Sequence, residues 1–481
     1  MSKFYITTTL PYVNADPHIG FALEIVQADV IARWHRRVGD EVFFNTGTDE
    51  HGLKIYRGAQ GEGMDPKAYA DLHAAKFEAL KTALNLSYNN FIRTTDPHHV
   101  AAAQEFWRRC AEKGDIYKKN YRIKYCVGCE LEKTESELED GRCPLHPHLA
   151  LEQVDEENYF FRYSRYQDAL LELYKNNPQF VVPKNRMLEI VKFTERGLQD
   201  FSISRLKSKM PWGVPVPGDD AQVMYVWFDA LVNYISALGW PDDLQKFNAF
   251  WPGVQVAGKD NLRQQSSMWQ AMLLSAGLPP STQILIHGFI TSRGQKMSKS
   301  LGNVVSPFEY VEKFGADALR YYLLREIPTL DDGDFTHEQF LARYNADLAN
   351  GLGNLVQRVS TMIAKYSINV GANGRSPVQS VLRKEIDNCI QRYQLDQALA
   401  VIWEKIAACD KRIDNEKPWA LAKDTSQHEK LEALLSSLVA DLREIGVALL
   451  PFLPCTAESI LKVVGAEKIV PPAKPLFPRE T

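Results

Sequence analysis

The sequence predicts an α/β chain: a parallel sheet with its helices, broken by a small cysteine-rich insertion and followed by an all-α helical bundle. Three observations lead there. Apolar, β-prone runs alternate with helical patterns over residues 1–117 and again over 226–340. The alternation stops over residues 118–225, where three cysteines cluster, and from 341 to 481 only helical periodicity remains.

The first strand spans residues 4–9 and the first helix, amphipathic by pattern, runs from about Phe21 to Val38. The turn between them, residues 10–20, organises the chain. A strand that turns into a helix leaves unpaired N–H groups at the helix start, an anion site. His18 stands there as a phosphate donor, and Gly20 lets a ligand approach the backbone. A second strand, 41–46, leads into a polar loop holding Asp49, at the sheet edge where ligands bind in open parallel folds. Asp49 is read as holding an ammonium or a ribose, or as a carboxylate capping the next helix. Helices follow over residues 66–84 and from Asp96 to about Lys113.

In the insertion, Cys126 and Cys129 form a CxxC pair, and Cys143 and His146 follow a 13-residue spacer that contains the turn signal Asp140-Gly141. Three thiolates and one imidazole at this spacing suit a closed, structural zinc site that replaces a hydrophobic core in a segment too small for one. Cys110, Cys389, Cys409 and Cys455 stand alone in helical patterns and read as core thiols. A strand over 158–162 returns from the insertion, and a helix opens at Pro183.

Alternation resumes with an aromatic helical stretch in which Trp227, Leu231 and Tyr234 share a face. Strands follow, ending at Gly258-Lys259-Asp260 and at His287. The loop at 294–302 carries Lys296 and Lys299 among small hydroxyl residues between glycines, a mobile cationic segment suited to neutralising a triphosphate. The final third is helical, with breaks at 371–374 and at Lys417-Pro418, and ends in a tail, 471–481, read as a docking strip.

Composition narrows the classes. Apolar content of 45% and charged content of 24% fit an ordinary globular core, and no apolar run is long enough to span a membrane. A net charge of −4 does not advertise a nucleic-acid partner, but a local basic face would suffice for one. Seven cysteines, three of them clustered, point to metal ligation in a reducing cytoplasm. No signal peptide precedes the first strand.

Pro17-His18-Ile19-Gly20, followed far downstream by Lys296-Met297-Ser298-Lys299-Ser300, resembles the paired signatures of class I aminoacyl-tRNA synthetases. More narrowly, the chain is similar to the methionyl-tRNA synthetase family. Leu10-Pro11-Tyr12-Val13-Asn14, the Asp49 loop, the cysteine knuckle, Tyr225-Val226-Trp227-Phe228-Asp229-Ala230 and Gly258-Lys259-Asp260 all match. The resemblance implies a Rossmann-type catalytic domain in two halves (1–117 and 226–340), a connective insertion with the zinc knuckle (118–225) and an anticodon-binding bundle (341–481). It implies ATP-dependent attachment of methionine to tRNA(Met) through an adenylate, with magnesium accompanying ATP; the expected location is the cytoplasm, and the oligomeric state is open with a monomer favoured.

By the same resemblance His18, Lys296 and Lys299 are catalytic. Tyr12, Asn14, Gly20, Glu24, Gly258, Asp260 and His287 complete the ATP site with His18 and Lys299. Leu10, Tyr12, Asp49, Trp227, Ala230, Tyr234 and Gln265 form the amino-acid pocket, Asp49 receiving the ammonium. Asn354, Arg358 and Trp419 read the anticodon by hydrogen bonds and stacking. Two departures from the family pattern stand out: Phe21 replaces the second histidine of the first signature, and Gln264-Gln265 replace a Phe-His pair. A class I synthetase for another amino acid, a non-catalytic tRNA-binding relative and a nucleotidyltransferase are the competing readings.

Overall fold

The computed structural model describes residues 1–129, 131–133, 137–297, 302–368 and 381–480. The chain forms two compact units, each built from separated segments. One comprises Met1–Asp16, Glu41–Ala79 and Tyr88–Ile286; the other comprises Pro17–Asp40, Leu80–Ser87 and His287–Thr481.

The first unit is organised by a six-stranded sheet. Its strands are β1 (Lys3–Thr8), β2 (Glu41–Thr48), β3 (Asn90–Arg93), β4 (Val181–Val182), β5 (Val254–Gly258) and β6 (Gln283–His287), in the order β3-β2-β1-β5-β6-β4. β1 runs parallel to β2 and to β5, β2 to β3, and β6 to β4. Every residue of β5 is buried, as is the C-terminal half of β1. Burial on both faces explains why these strands read as near-continuous apolar runs rather than alternating ones. The chain leaves β1 for β2 on one side and returns to β5 on the other, so β1 and β5 flank a topological switch. In such sheets the crevice beyond the carboxyl ends at the switch takes the ligand. Residues 9–13, Asp49 and Lys259–Asn261 all follow carboxyl ends of this group of strands.

The insertion is a long antiparallel ribbon, Ile116–Cys126 against Glu152–Phe161, in register from Ile116↔Phe161 to Tyr125↔Glu152. The strand read at 158–162 is the end of this longer one. Its first six residues, Glu152 to Glu157, include four acidic side chains and one apolar one, so its length was hidden. The expected helical face of Trp227, Leu231 and Tyr234 is split between two short helices, Val226–Ala230 and Asn233–Ser236.

In the second unit the leading helix, α1 (Ile19–Val38), is buried almost all round between Ala22 and Ala32, which corrects the amphipathic reading. Two of its charged residues, Glu24 and Asp29, are buried. Asp29 accepts from Arg33 Nε at 2.7 Å and from the Ser87 backbone N–H at 2.6 Å, and it pairs with the fully buried Arg320 at 2.8 Å. The C-terminal helices include Asn354–Tyr366, Leu395–Glu416, His428–Leu449 and Pro454–Gly465. Their cores follow a 3.6 period: Leu395, Leu399, Ile402, Ile406 and Ile413 in one, Leu435, Leu438, Leu442 and Ile445 in another. The tail docks, with Phe477 buried against Tyr344 and Asn345 Nδ2 donating to the Glu480 carbonyl at 2.9 Å. Cys110 and Cys409 are buried as expected; Cys389 is half-buried and Cys455, exposed in the first turn of the last helix, is a correction to the core reading. The break read at 371–374 lies outside the described residues. No helix among the described residues is long and apolar enough to cross a membrane.

Candidate active site

The turn before α1 is shaped by His18. It is the helix N-cap, with φ −126° and ψ 170°, and its Nδ1 accepts from the Gly20 backbone N–H at 3.0 Å. An accepting Nδ1 places the proton of the neutral ring on Nε2, so the ring presents a donor on its far edge. Gly20 has a second reason beside the one read in the sequence. A Cβ there would lie 2.7 Å from His18 Cε1, so glycine makes room for the capping ring itself.

Residues that flank the downstream signature adjoin this turn within the same unit. Ile19 N donates to Val305 O at 3.1 Å, just past the lysine loop. A Cβ on Gly20 would stand 3.6 Å from Ile290, in the strand Ile290–Ser292 that pairs with Gln295–Lys296 through Thr291↔Lys296. Both flanks of the loop therefore meet the start of α1. Lys299 lies outside the described residues, and Lys296 is described by its backbone alone. One turn into α1, Glu24 is buried and its Oε2 meets His287 Nε2 at 2.9 Å, while His287 Nδ1 donates to Gly288 O at 2.7 Å. Both imidazole nitrogens face oxygen atoms, so the ring bridges the Gly288 carbonyl and the Glu24 carboxylate.

In the other unit the residues read as the amino-acid pocket come together on three elements. Tyr12 and Asp49 form an isolated parallel bridge, with Asp49 N donating to Pro11 O at 3.0 Å and Val13 N to Asp49 O at 3.3 Å. Asp49 is buried, which places a carboxylate where only a charged or strongly donating partner suits it. Tyr12 and Trp227, both half-buried, pack on the same small cluster of Tyr125, Tyr225 and Val226, so the knuckle strand abuts the pocket. Lys54 spans the same gap: its Nζ donates to Gly128 O at 2.6 Å and lies 5.2 Å from the Tyr12 ring centre. Tyr234 is buried, and its hydroxyl accepts from Gln265 Nε2 at 2.7 Å. Gln264 and Gln265 open a π-helical turn, Gln264–Met268, a distortion frequent at functional sites. Ala230 is buried, Leu10 and Asn14 are half-buried, and Gly258 ends β5 with Asp260 exposed just beyond it.

A third site is the knuckle. The candidate ligand atoms of Cys126, Cys129, Cys143 and His146 all lie within 4.8 Å of one another. Cys129 Sγ is 3.4 Å from Cys143 Sγ and 3.2 Å from His146 Nδ1, and Cys126 Sγ is 3.8 Å from the same nitrogen. Tetrahedral bonds of about 2.3 Å to sulfur give edges of about 3.8 Å. The donor set therefore fits a metal with four protein ligands and no open position.

On the helical third, Asn354 is exposed at the head of its helix and Trp419 is 44% exposed in the short helix Pro418–Leu421. Arg358 is engaged, with its guanidinium 3.2 Å from Asp410 and 2.8 Å from Asp414.

The sequence reading missed a buried cluster. Asp229 is fully buried between His51 and His99, with Nδ1···Oδ2 at 2.6 Å and Nε2···Oδ1 at 2.9 Å. These three residues are far apart along the chain, and only the alternating motifs that hold them were visible.

A family model described as "tRNA synthetases class I (M)" matches residues 4–150 and 134–360. The chain is 42% identical to methionine--tRNA ligase of Brucella melitensis over 96% of its length and 92% of the relative's. It is 44% identical to the ligase of the same name from Thermosynechococcus vestitus, covering 96% and 90%. Among solved structures, Mycobacterium tuberculosis methionyl-tRNA synthetase in complex with methionyl-adenylate matches with a TM-score of 0.92 at 36% identity, covering 100% of both chains.

Proposed function

The chain belongs to the methionyl-tRNA synthetase family of class I aminoacyl-tRNA synthetases, and from that premise we propose how its residues divide the work. It attaches methionine to tRNA in two steps. A carboxylate oxygen of methionine attacks the α-phosphorus of ATP, the bond to pyrophosphate breaks, and methionyl-adenylate forms. The terminal ribose hydroxyl of tRNA(Met) then takes the acyl group and AMP leaves.

The chemistry is alignment and charge stabilisation, with no covalent enzyme intermediate. His18 donates through Nε2–H to the phosphates, Lys299 neutralises them and Lys296 assists. Glu24, His287, Asn14, Tyr12, Gly20, Gly258 and Asp260 hold the nucleotide. Asp49 takes the ammonium, and Leu10, Tyr12, Trp227, Ala230, Tyr234 and Gln265 surround the side chain, an aromatic and apolar setting suited to a polarisable thioether. Magnesium arrives with ATP and screens its phosphates. Among the described residues the knuckle is the one His/Cys/Asp/Glu group placed to hold a metal ion. The segments 1–117 and 226–340 carry the chemistry, 118–225 the knuckle and 341–481 the anticodon reading, in a cytoplasmic monomer.

One observation carries this reading: the Ile19 N–Val305 O hydrogen bond of 3.1 Å, which supports the two signatures serving one triphosphate. Amino-acid-dependent ATP–pyrophosphate exchange, run with all twenty amino acids, tests it. Methionine alone is expected to support exchange. Faster exchange with another amino acid would overturn the specificity, and no exchange with any would overturn the catalytic reading.

Two further outcomes are expected. Freshly purified protein should contain about one zinc per chain, held by the four knuckle ligands with no water position. Elemental analysis showing almost none would remove the zinc assignment. Replacing Trp419 by Ala should leave ATP–pyrophosphate exchange intact while slowing tRNA charging by about 5- to 150-fold, the worth of one stacked base. Unchanged charging would remove Trp419 from the anticodon site.

A further inference from the structure

We propose that Asp229 is a positioning residue for methionine: through His51 it fixes the loop that carries Asp49 to the helix that carries Trp227 and Ala230. The inference rests on the function proposed above.

The geometry is specific. Asp229 lies inside the helix Val226–Ala230, flanked by Phe228 and Ala230. His51 lies two residues after Asp49. A carboxylate only accepts, so each imidazole must donate: His51 through Nδ1–H at 2.6 Å and His99 through Nε2–H at 2.9 Å. His99 Nδ1 is then the acceptor for the Ser236 hydroxyl at 2.9 Å. Each ring is thereby held in one tautomer and one orientation. Burial pushes the Asp229 carboxyl up, but His51 and His99 outweigh it and hold it down at about 2.

The Asp49 loop is gripped on both sides of its next residue as well. Glu50, fully buried, takes Arg93 in two hydrogen bonds of 2.5 and 2.8 Å, and its carbonyl accepts from Trp212 Nε1 at 2.5 Å. The Trp212 ring lies 5.5 Å from that of His51. The backbone that presents Asp49 is thus fixed by ionic groups from two elements, of which only the Asp229 link reaches the helix carrying Trp227. A buried carboxylate with two imidazoles is a costly way to fill space that apolar side chains would fill as well. It is suited to fixing a charged group's position, on which binding depends steeply.

The test compares the unaltered protein with Asp229→Asn and His51→Gln. Exchange kinetics are expected to show KM for methionine raised about tenfold or more in both, with KM for ATP within about twofold of the original. His51→Gln removes the link and leaves the Asp229–His99 contact, so it serves if Asp229→Asn does not fold. A general loss of structure would instead lower kcat or the active fraction, or raise both KM values together, and any of those results overturns the proposal, as does an unchanged KM for methionine. Equilibrium dialysis of labelled methionine gives a second readout, with the same fold-loss expected. Absence of exchange in the unaltered protein would overturn the function reading, whereas methionine binding weakened in the variants alone would still support the positioning role.

Discussion

His18→Asn is expected to cut methionine-dependent ATP–pyrophosphate exchange by about 10²- to 10³-fold, the usual cost of one donor aimed at developing charge, while leaving thermal stability almost unchanged. The asymmetry follows from the two nitrogens of one ring. Nδ1 caps α1 by accepting from Gly20 N at 3.0 Å, and asparagine is among the best N-cap residues. The shorter side chain can therefore keep the cap. It has nothing that reaches where Nε2–H points. His18→Ala removes both roles and should lose about 1 kcal/mol of stability in addition. Exchange rates and thermal melts of the two variants, read side by side, separate the functions. An asparagine variant as active as the original would show that the ring acts only as a cap, and the phosphate role would have to pass to other groups.

That one residue also shows how far the sequence could be read. His18 was identifiable because its context is local: a strand, a turn and a helix within twenty residues. The knuckle was legible for the same reason, since Cys126, Cys129, Cys143 and His146 declare themselves by spacing. What escaped depends on partners distant in the chain. By periodicity alone Glu24 and Asp29 look like the polar stripe of a surface helix, because periodicity sees charge and assigns it to solvent; only the family resemblance put Glu24 at the ATP site. Their partners, His287 and Arg320, lie hundreds of residues further on. At Gly20 the sequence showed room for a ligand but not the crowding by the His18 ring, which also demands glycine. Asp229 sat inside a recognisable aromatic motif, yet nothing in that motif shows two histidines converging on it. Strand β5 and its neighbours were visible as apolar runs; their order in the sheet was not, because pairing is set by crossovers and not by composition.

The buried partner of Asp29 gives the largest expected effect on stability. Arg320→Met should destabilise the protein by about 3–5 kcal/mol, the cost of stripping one member from a buried ion pair. Methionine keeps the apolar stem of the side chain but stops short of the guanidinium, so the loss combines the missing charged donors with the small space they leave. Arg320 is wholly buried and donates to the carbonyls of Phe452 at 2.8 Å, Leu84 at 3.1 Å and Pro451 at 3.1 Å, besides Asp29 at 2.8 Å. All four acceptors lose a charged donor at once. The pH dependence carries a definite sign. Burial pushes the Asp29 carboxyl up, but Arg320 and Arg33 outweigh it and hold it below its usual value. Stability from a depressed carboxylate is complete above the unfolded value of about 3.9 and disappears as pH falls through the folded one. The gap between the original protein and Arg320→Met should therefore be widest at neutral pH and should shrink on acidification past the folded value. Asp29→Asn combined with Arg320→Met should recover part of the loss, because the stranded charge is gone. Urea denaturation at neutral and acid pH reads all three quantities. A single variant within about 1 kcal/mol of the original, the range of exposed pairs, would mean that Arg33 and Ser87 alone satisfy Asp29 and that the Arg320 contact adds little.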